Sequence, residues 1–357
     1  MKKLVLMMLV LLLSYGCRTA PAPNKEMPPA APTAQAAPEP EPAPPAPATP
    51  EEQRVQALKA DLEKSGGEDA IARYRLARAL TAAGRKDEAL AELDKAMDCG
   101  WLGSDLPKGD AELAALKGEK KFQEILDKVQ AAEKAIAGRI TKNVSKAGVP
   151  YVLFLPEGVG KGQADRKYPV ILSIDPGGDG SWGVNFWKGF AYKHRYILVG
   201  VTNGMRSIPL REVFETYPVD RKKMFVEGFS AGGAAALQIG VPNPEIFAGI
   251  ITFGCGGIGG ALEASAMPQI RPDSEKIGVY MVAGTADPGH LQQSKIHKKR
   301  LEEKGFKVIL KEMEGVGHGR PPQAMPDLIR WLDQQENPLV DSDGRVIGTG
   351  AEKPAGR

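Results

Sequence analysis

A serine held between glycines, Gly228-Phe229-Ser230-Ala231-Gly232, follows the apolar run Met224-Phe225-Val226 and precedes the alanines 234–236. The bare pattern G-x-S-x-G is weak evidence, because a chain with 12 serines and 41 glycines meets it by chance roughly one time in six. Its setting is stronger evidence: a strand-like stretch enters and a helix-like stretch leaves. A sharp strand-to-helix turn crowds the two elements, so small residues must flank the serine. Such a turn holds the hydroxyl at the carboxyl end of a sheet, facing N–H groups at the start of the next helix. The chemistry this permits is nucleophilic attack on a carbonyl, provided that a base takes the proton and an acid orients the base.

Four histidines compete for the base. His318 lies in GVGHGRPP, a glycine-flanked loop after the last strand candidate, and is the preferred base. His290, three residues beyond Asp287, is its rival. His194 abuts a strand start and reads as surface, and His297 sits among Lys and Arg and reads as solvated. Asp287 in GTADPGH emerges from the end of another strand candidate and can orient an imidazole; the alternative is a turn-forming Asp before Pro288. The order Ser230, Asp287, His318 is that of α/β-hydrolase sheets and not of the two familiar serine-protease folds. An oxyanion needs preorganised donors. The Ala231 amide is one, and Gly177 or Gly178, in the glycine-rich turn after YPVILSID, supplies the second; Pro176 has no N–H to give. Trp182, Phe229 and His290 are candidates to line a substrate pocket. The aromatics Trp182, Phe186 and Trp187 of GSWGVNFWKGF fit pocket lining and core packing equally well.

These positions require strands to carry them. Strand candidates are 149–156, 168–175, 196–202, 223–229, 249–254, 276–284 and 307–313, several of them continuous apolar runs suited to burial on both faces. Helix candidates lie at 230–240, 290–304 and 323–335. Alternation of this kind predicts an α/β class with a mostly parallel sheet and crossover helices over 139–335. The segment before the elbow strand, IPLREVFETYPVD, is short, and no long lid insertion is evident, so a compact, open pocket is expected.

Residues 148–335 resemble an α/β-hydrolase of the esterase type, closest to the polyhydroxybutyrate depolymerase and feruloyl esterase group. The likeness rests on YPVILSIDPGGDG, VDRKKMFVEGFSAGGAAA, AGTADP and GVGHG. It implies the α/β-hydrolase fold, an acyl-enzyme reaction and no cofactor. The group commonly has His-Gly-Gly in its oxyanion loop, where this chain has Asp175-Pro176 before the glycines.

The rest of the chain bounds where such a domain works. Met1-Lys2-Lys3, the apolar run 4–13 and Gly16-Cys17 predict an export signal over 1–17 with Cys17 as the lipidated residue, the alternative being ordinary cleavage near Thr19-Ala20. Residues 18–50 are Pro/Ala-rich and read as a semi-rigid spacer. From 51 to 138 the pattern is helical. Tyr74, Leu76, Ala77 and Leu80 form one stripe, Ala89, Leu93 and Ala96 another, and Gly84 breaks them apart. This segment resembles one tetratricopeptide unit, and one unit is expected to lean on its neighbour. It serves as a spacer or as a protein- or glycan-binding adaptor. Residues 336–357 read as a disordered tail.

A net charge of +3 with no basic run gives nucleic acid no footprint. Cys17, Cys99 and Cys255 show no CxxC pair and no metal-ligand spacing with the histidines, so no metal is expected; a Cys99–Cys255 disulfide is neither required nor excluded. The expected function is an exported serine hydrolase acting on a small-molecule or polymer ester. The alternatives are a serine peptidase of the same fold and a non-catalytic envelope protein that binds partners through the helical module.

Overall fold

The computed structural model describes residues 49–64, 67, 69–100, 102–160, 166–202, 209–256 and 270–347. Cys17, Trp101 and the export signal fall outside the described residues. Those described belong to one compact unit, 48–357. Among the described residues, eight strands form one sheet: β1 (Ile140–Val144), β2 (Pro150–Phe154), β3 (Tyr168–Asp175), β4 (Ile197–Thr202), β5 (Val219–Phe229), β6 (Gly249–Phe253), β7 (Gly278–Gly284) and β8 (Val308–Met313). Their order is β1-β2-β4-β3-β5-β6-β7-β8. The β1–β2 and β2–β4 pairs are antiparallel and every later pair is parallel. This is the mostly parallel α/β arrangement that the alternating pattern predicts, in the form that the resemblance implies. β1, ITKNV, was not expected as a strand. It is a half-exposed edge with no apolar run to announce it.

Among the described residues, ten α-helices accompany the sheet. Five precede it: α1 (Pro50–Lys64), α2 (Ala70–Ala82), α3 (Lys86–Met97), α4 (Asp105–Gly109) and α5 (Lys120–Ala137). The others are α6 (Ser181–His194), α7 (Leu210–Thr216), α8 (Ala231–Gly240), α9 (Pro288–Glu302) and α10 (Met325–Gln334). Helices cover both faces, because a parallel sheet with two apolar faces needs two layers over it. One core contains Met224, Val226, Ile250 and Met281 with α8. The other contains Phe225, Ile251, Tyr280 and Val282 with α6 and α10.

The predicted stripes of α2 and α3 pack together in a separate core with Leu113, Leu116, Phe122 and Ile125. Asp69 caps α2 by accepting the amides of Ile71 and Ala72. Arg73 pairs with Glu92 at 2.6 Å. The module rests on α6: Lys193 Nζ donates to the Asp98 carbonyl at 2.7 Å, and Ile136 of α5 joins the sheet's core.

Two further expectations change. Residues 336–347 are ordered, not a disordered tail: Asn337 is buried and donates to the carbonyls of Pro244 and Phe247, and Leu339 and Val340 are buried apolar side chains. His297 is buried on the inner face of α9 with Ser294 and Leu301, despite its basic neighbours in sequence. Cys99 and Cys255 are both buried, and neither forms a disulfide.

Candidate active site

Because β3 and β5 through β8 run parallel, their carboxyl ends lie along one edge of the sheet. Ser230 follows β5, Asp287 follows β7 by three residues, and His318 follows β8 by five. The topology thus brings three distant segments to one rim.

Ser230 sits between β5 and α8 with φ 56 and ψ −121, a left-handed backbone that a non-glycine residue adopts at a cost of about 1–3 kcal/mol. The surroundings hold it there. Its N–H donates to the Phe253 carbonyl at 2.9 Å, and its carbonyl accepts from Gly233 and Gly256, each at 3.0 Å. A Cβ on Gly228 would lie 2.0 Å from the Gly232 carbonyl oxygen, and one on Gly232 2.0 Å from that of Ile174. Both glycines of the motif are therefore required by backbone contact.

The loop after β8 folds back over the end of β7. Ala286 N–H donates to the Val316 carbonyl at 3.0 Å, and Gly315 N–H donates to Thr285 Oγ1 at 2.9 Å. This carries His318 onto the bare backbone of Gly254, where a Cβ would meet Nδ1 at 2.9 Å. His318 also lies against Phe229, with ring centroids 4.6 Å apart. Gly254 adjoins the residue that fixes Ser230, and Phe229 adjoins Ser230 itself. No hydrogen bond among the described residues joins the Ser230 hydroxyl to His318; such contacts commonly tighten only with substrate bound.

Asp287 receives both rival histidines. His318 Nδ1 is 2.6 Å from Oδ2, and His290 Nδ1 is 3.0 Å from Oδ1. The two imidazoles stack at 3.9 Å with 27° between planes. An ionised carboxylate only accepts, so each Nδ1 is the donor in these contacts. Burial pushes the Asp287 carboxyl up, but hydrogen bonds from His290 and His318 outweigh it and hold the group below the usual carboxylate range. Asp287, His290 and His318 offer ligand atoms all within 4.8 Å of one another, a convergence invisible to spacing because the third residue arrives from another strand.

Asp175, at the end of β3 before Pro176 and the glycine turn, is fully buried and occupied. Its carboxylate accepts the amides of Trp182 at 2.9 Å and Gly183 at 3.1 Å, tying down the start of α6. Arg320, two residues past His318, donates to Asp175 at 3.0 Å and to Glu227 at 2.9 Å, and Ser173 Oγ donates to Glu227 at 2.5 Å. This buried network was missed. Its signal was a charged residue, Glu227, inside an otherwise apolar strand. Burial pushes the Asp175 carboxyl above its ordinary range despite Arg320 beside it. The glycine turn is anchored at both ends, and the amides of Gly177, Gly178 and Ala231 donate to no other described residue. Gly232 packs against the Ile174 and Asp175 backbone, which sets Ala231 beside that turn.

Of the pocket candidates, Trp182 is 55% exposed beside Gly178 and can wall the site. Phe229 is a platform, with His318 on its ring and the Arg320 guanidinium 5.2 Å from the centroid. Trp187 is core, and Phe186 packs edge-on to it. A cleft of about 430 Å³ lies between α5, the chain at 97–103 and α6, and contains none of Ser230, Asp287 or His318. The strained backbone and convergent polar groups, not cavity size, mark the carboxyl edge as the candidate site.

His297 buttresses the elbow indirectly. Its Nε2 lies 3.3 Å from the Gly256 carbonyl, and Gly256 N–H donates to Ser230. Burial, the leading cause, lowers its pKa from the ordinary 6.5. The unfolded chain therefore binds a proton that the native state resists, and stability rises with pH across that interval. Urea midpoints should be highest above about pH 6.5, decline as pH falls through it, and level off below the depressed native value. His297→Gln should flatten this segment, while the carboxylate-driven loss nearer pH 4 remains.

Residues 206–335 match the sequence model of the family described as Phospholipase/Carboxylesterase. No curated protein matches. Among solved structures, the chain is similar to a thermostable esterase at 22% identity, with 57% of this chain and 64% of that one covered and a TM-score of 0.43. It is similar to an acylaminoacyl peptidase at 15% identity, covering 56% and 41%, with a TM-score of 0.43. It is also similar to a ferulic acid esterase from Anaeromyces mucronatus, crystallised with ferulic acid, at 15% identity, covering 55% and 89%, with a TM-score of 0.41. The sheet order is that of the α/β-hydrolase fold, and its residues 206–335 are similar to the Phospholipase/Carboxylesterase family.

Proposed function

We propose that the protein is an exported serine hydrolase that cleaves carboxylic esters. The observation that carries this reading is the strained backbone of Ser230, held at the strand-to-helix turn on the rim where Asp287 and His318 pair. In this mechanism Ser230 Oγ attacks the ester carbonyl as His318 Nε2 takes its proton. Asp287 accepts from Nδ1–H and stabilises the imidazolium. The tetrahedral oxyanion receives N–H donors from Ala231 and from Gly177 or Gly178. Collapse expels the alcohol, which leaves with the proton from His318. Water then attacks the acyl-enzyme by the same route and releases the acid, restoring Ser230. Trp182 flanks the entrance and contacts the ester's apolar portion. The basic n-region, the apolar run and Cys17 support export and lipid attachment, and the helical module acts as a spacer or adaptor.

A fluorophosphonate probe tests the reaction. Folded wild-type protein should label covalently, and Ser230→Ala should not. Labelling that persists in the variant, or folded wild-type protein that never labels, overturns the reading. Nitrophenyl, feruloyl and acetyl-sugar esters then sort the substrate.

A further inference from the structure

We infer that Asp287, His290 and His318 form a binding site for a single divalent transition-metal ion of the zinc type, and that its occupation switches the hydrolase off. The set lies in two segments already locked together. Asp287 caps α9 and His290 lies in its first turn, while the Val316–Ala286 and Gly315–Thr285 hydrogen bonds pin the loop that brings His318. Two imidazole nitrogens and one carboxylate are a donor set that suits zinc and leaves a fourth position open, whereas magnesium and calcium favour oxygen-rich sites.

The dimensions are close to what coordination needs. Zn–N and Zn–O bonds of about 2.0–2.2 Å set ligand atoms roughly 3.3–3.5 Å apart in a tetrahedron. His318 Nδ1 and His290 Nδ1 lie 2.6 and 2.9 Å from Asp287 Oδ2, and the ligand atoms of all three residues fall within 4.8 Å of one another. Admitting an ion widens the nitrogen–oxygen contacts by under about 1 Å. His290 and His318 are about one third exposed, so an ion reaches them from solvent.

The chemical consequence is specific. A neutral imidazole that coordinates through Nδ1 must carry its proton on Nε2. Binding therefore moves each ring's proton from Nδ1 to Nε2 without net proton loss, and His318 Nε2–H can no longer accept the proton of Ser230. Asp287 is at the same time turned from orienting carboxylate to ligand. Binding itself stands apart from the proposed hydrolysis; only the switching-off rests on that reading.

The test uses the full chain, freed of metal with EDTA and dialysed. Calorimetric titration with Zn²⁺ should show one ion per chain, and Co²⁺ in its place should give the visible absorption of a low-symmetry four-coordinate site. His290→Gln, and independently His318→Gln, should weaken Zn²⁺ binding at least about tenfold, while Ser230→Ala should bind as the wild type does. Nitrophenyl ester hydrolysis should fall in step with Zn²⁺ occupancy and return with EDTA. Absence of stoichiometric uptake, or uptake unchanged in both histidine variants, overturns the site. Histidine-dependent uptake with hydrolysis that persists at full occupancy overturns the switch. Histidine-dependent uptake in a protein that neither labels with fluorophosphonate nor hydrolyses any ester leaves the site standing and removes the hydrolase reading instead.

Discussion

Arg320→Met should destabilise the protein by about 3–5 kcal/mol, the range for removing one partner of a buried ion pair. The guanidinium is 8% exposed and joins two carboxylates exposed by 1% and 0%, Asp175 and Glu227. Burial acts to lower the Arg320 pKa, but Glu227 and Asp175 outweigh it and raise it, so the side chain stays charged. Without that charge, Glu227 keeps only the Ser173 hydroxyl and Asp175 only the amides at the start of α6. Asp175, already above its ordinary range through burial, rises further. The variant's native state then holds a proton that its unfolded state releases, and its stability falls as pH rises. The stability gap to wild type should narrow towards pH 5 and widen towards pH 8, as read from urea unfolding at both. Adding Asp175→Asn and Glu227→Gln to Arg320→Met should recover part of the loss, because neutral amides are cheaper to bury than unpaired carboxylates. A loss under about 1 kcal/mol, typical of a surface pair, would show that solvent reaches the network and that Arg320 does not anchor the His318 loop.

That network marks the boundary of what the sequence made legible. Strands β3 to β7 were readable because each carries a continuous apolar run, and burial on both faces demands that pattern, whereas β8, an edge strand with Ile309 exposed, showed only Val308-Ile309-Leu310. The rim positions of Ser230, Asp287 and His318 followed, since a residue just past a parallel strand has one place to be. Strand β1 carries no such run because it is an edge, where half-exposed polar residues serve as well. Helix α6 was overlooked although Val184, Trp187, Phe190 and Ala191 all face the core; its glycines and aromatics obscured a helical spacing that was present. Asp175 and Glu227 were visible as charges at the end of and inside apolar strands, but their common partner lies 145 and 93 residues away. No local pattern ties such groups together. His297 was misjudged because its neighbours in sequence are basic, while its neighbours on the helix face are Ser294 and Leu301. Spacing likewise could not show one carboxylate serving two histidines, because only the folded-back loop after β8 brings His318 to the pair on α9.

Loss of ester hydrolysis in single variants should identify which histidine is the base. Ser230→Ala should lower kcat by about 10⁶-fold, and Ser230→Ala with His318→Ala should cost little more, because members of one catalytic unit fail together. His318→Ala alone should fall nearly as far as Ser230→Ala. Asp287→Asn should lose less, about 10⁴-fold, because the nucleophile and oxyanion donors stay in place while the imidazole tautomer is disturbed. KM should change little in each, since the interactions removed belong to the transition state. His290 makes the series decisive. It holds the same carboxylate as His318 and stacks on its ring, so proximity to Asp287 cannot separate the two. Contact with the elbow can. His318 lies on Phe229 and Gly254, which adjoin Ser230 and its hydrogen-bond partner Phe253. His290 belongs to the first turn of α9, and no hydrogen bond or ring contact links it to Phe229 or Ser230 among the described residues. If His290→Ala instead carried the 10⁶-fold loss and His318→Ala a mild one, the two roles would exchange, and the loop after β8 would be a support for the base rather than its carrier.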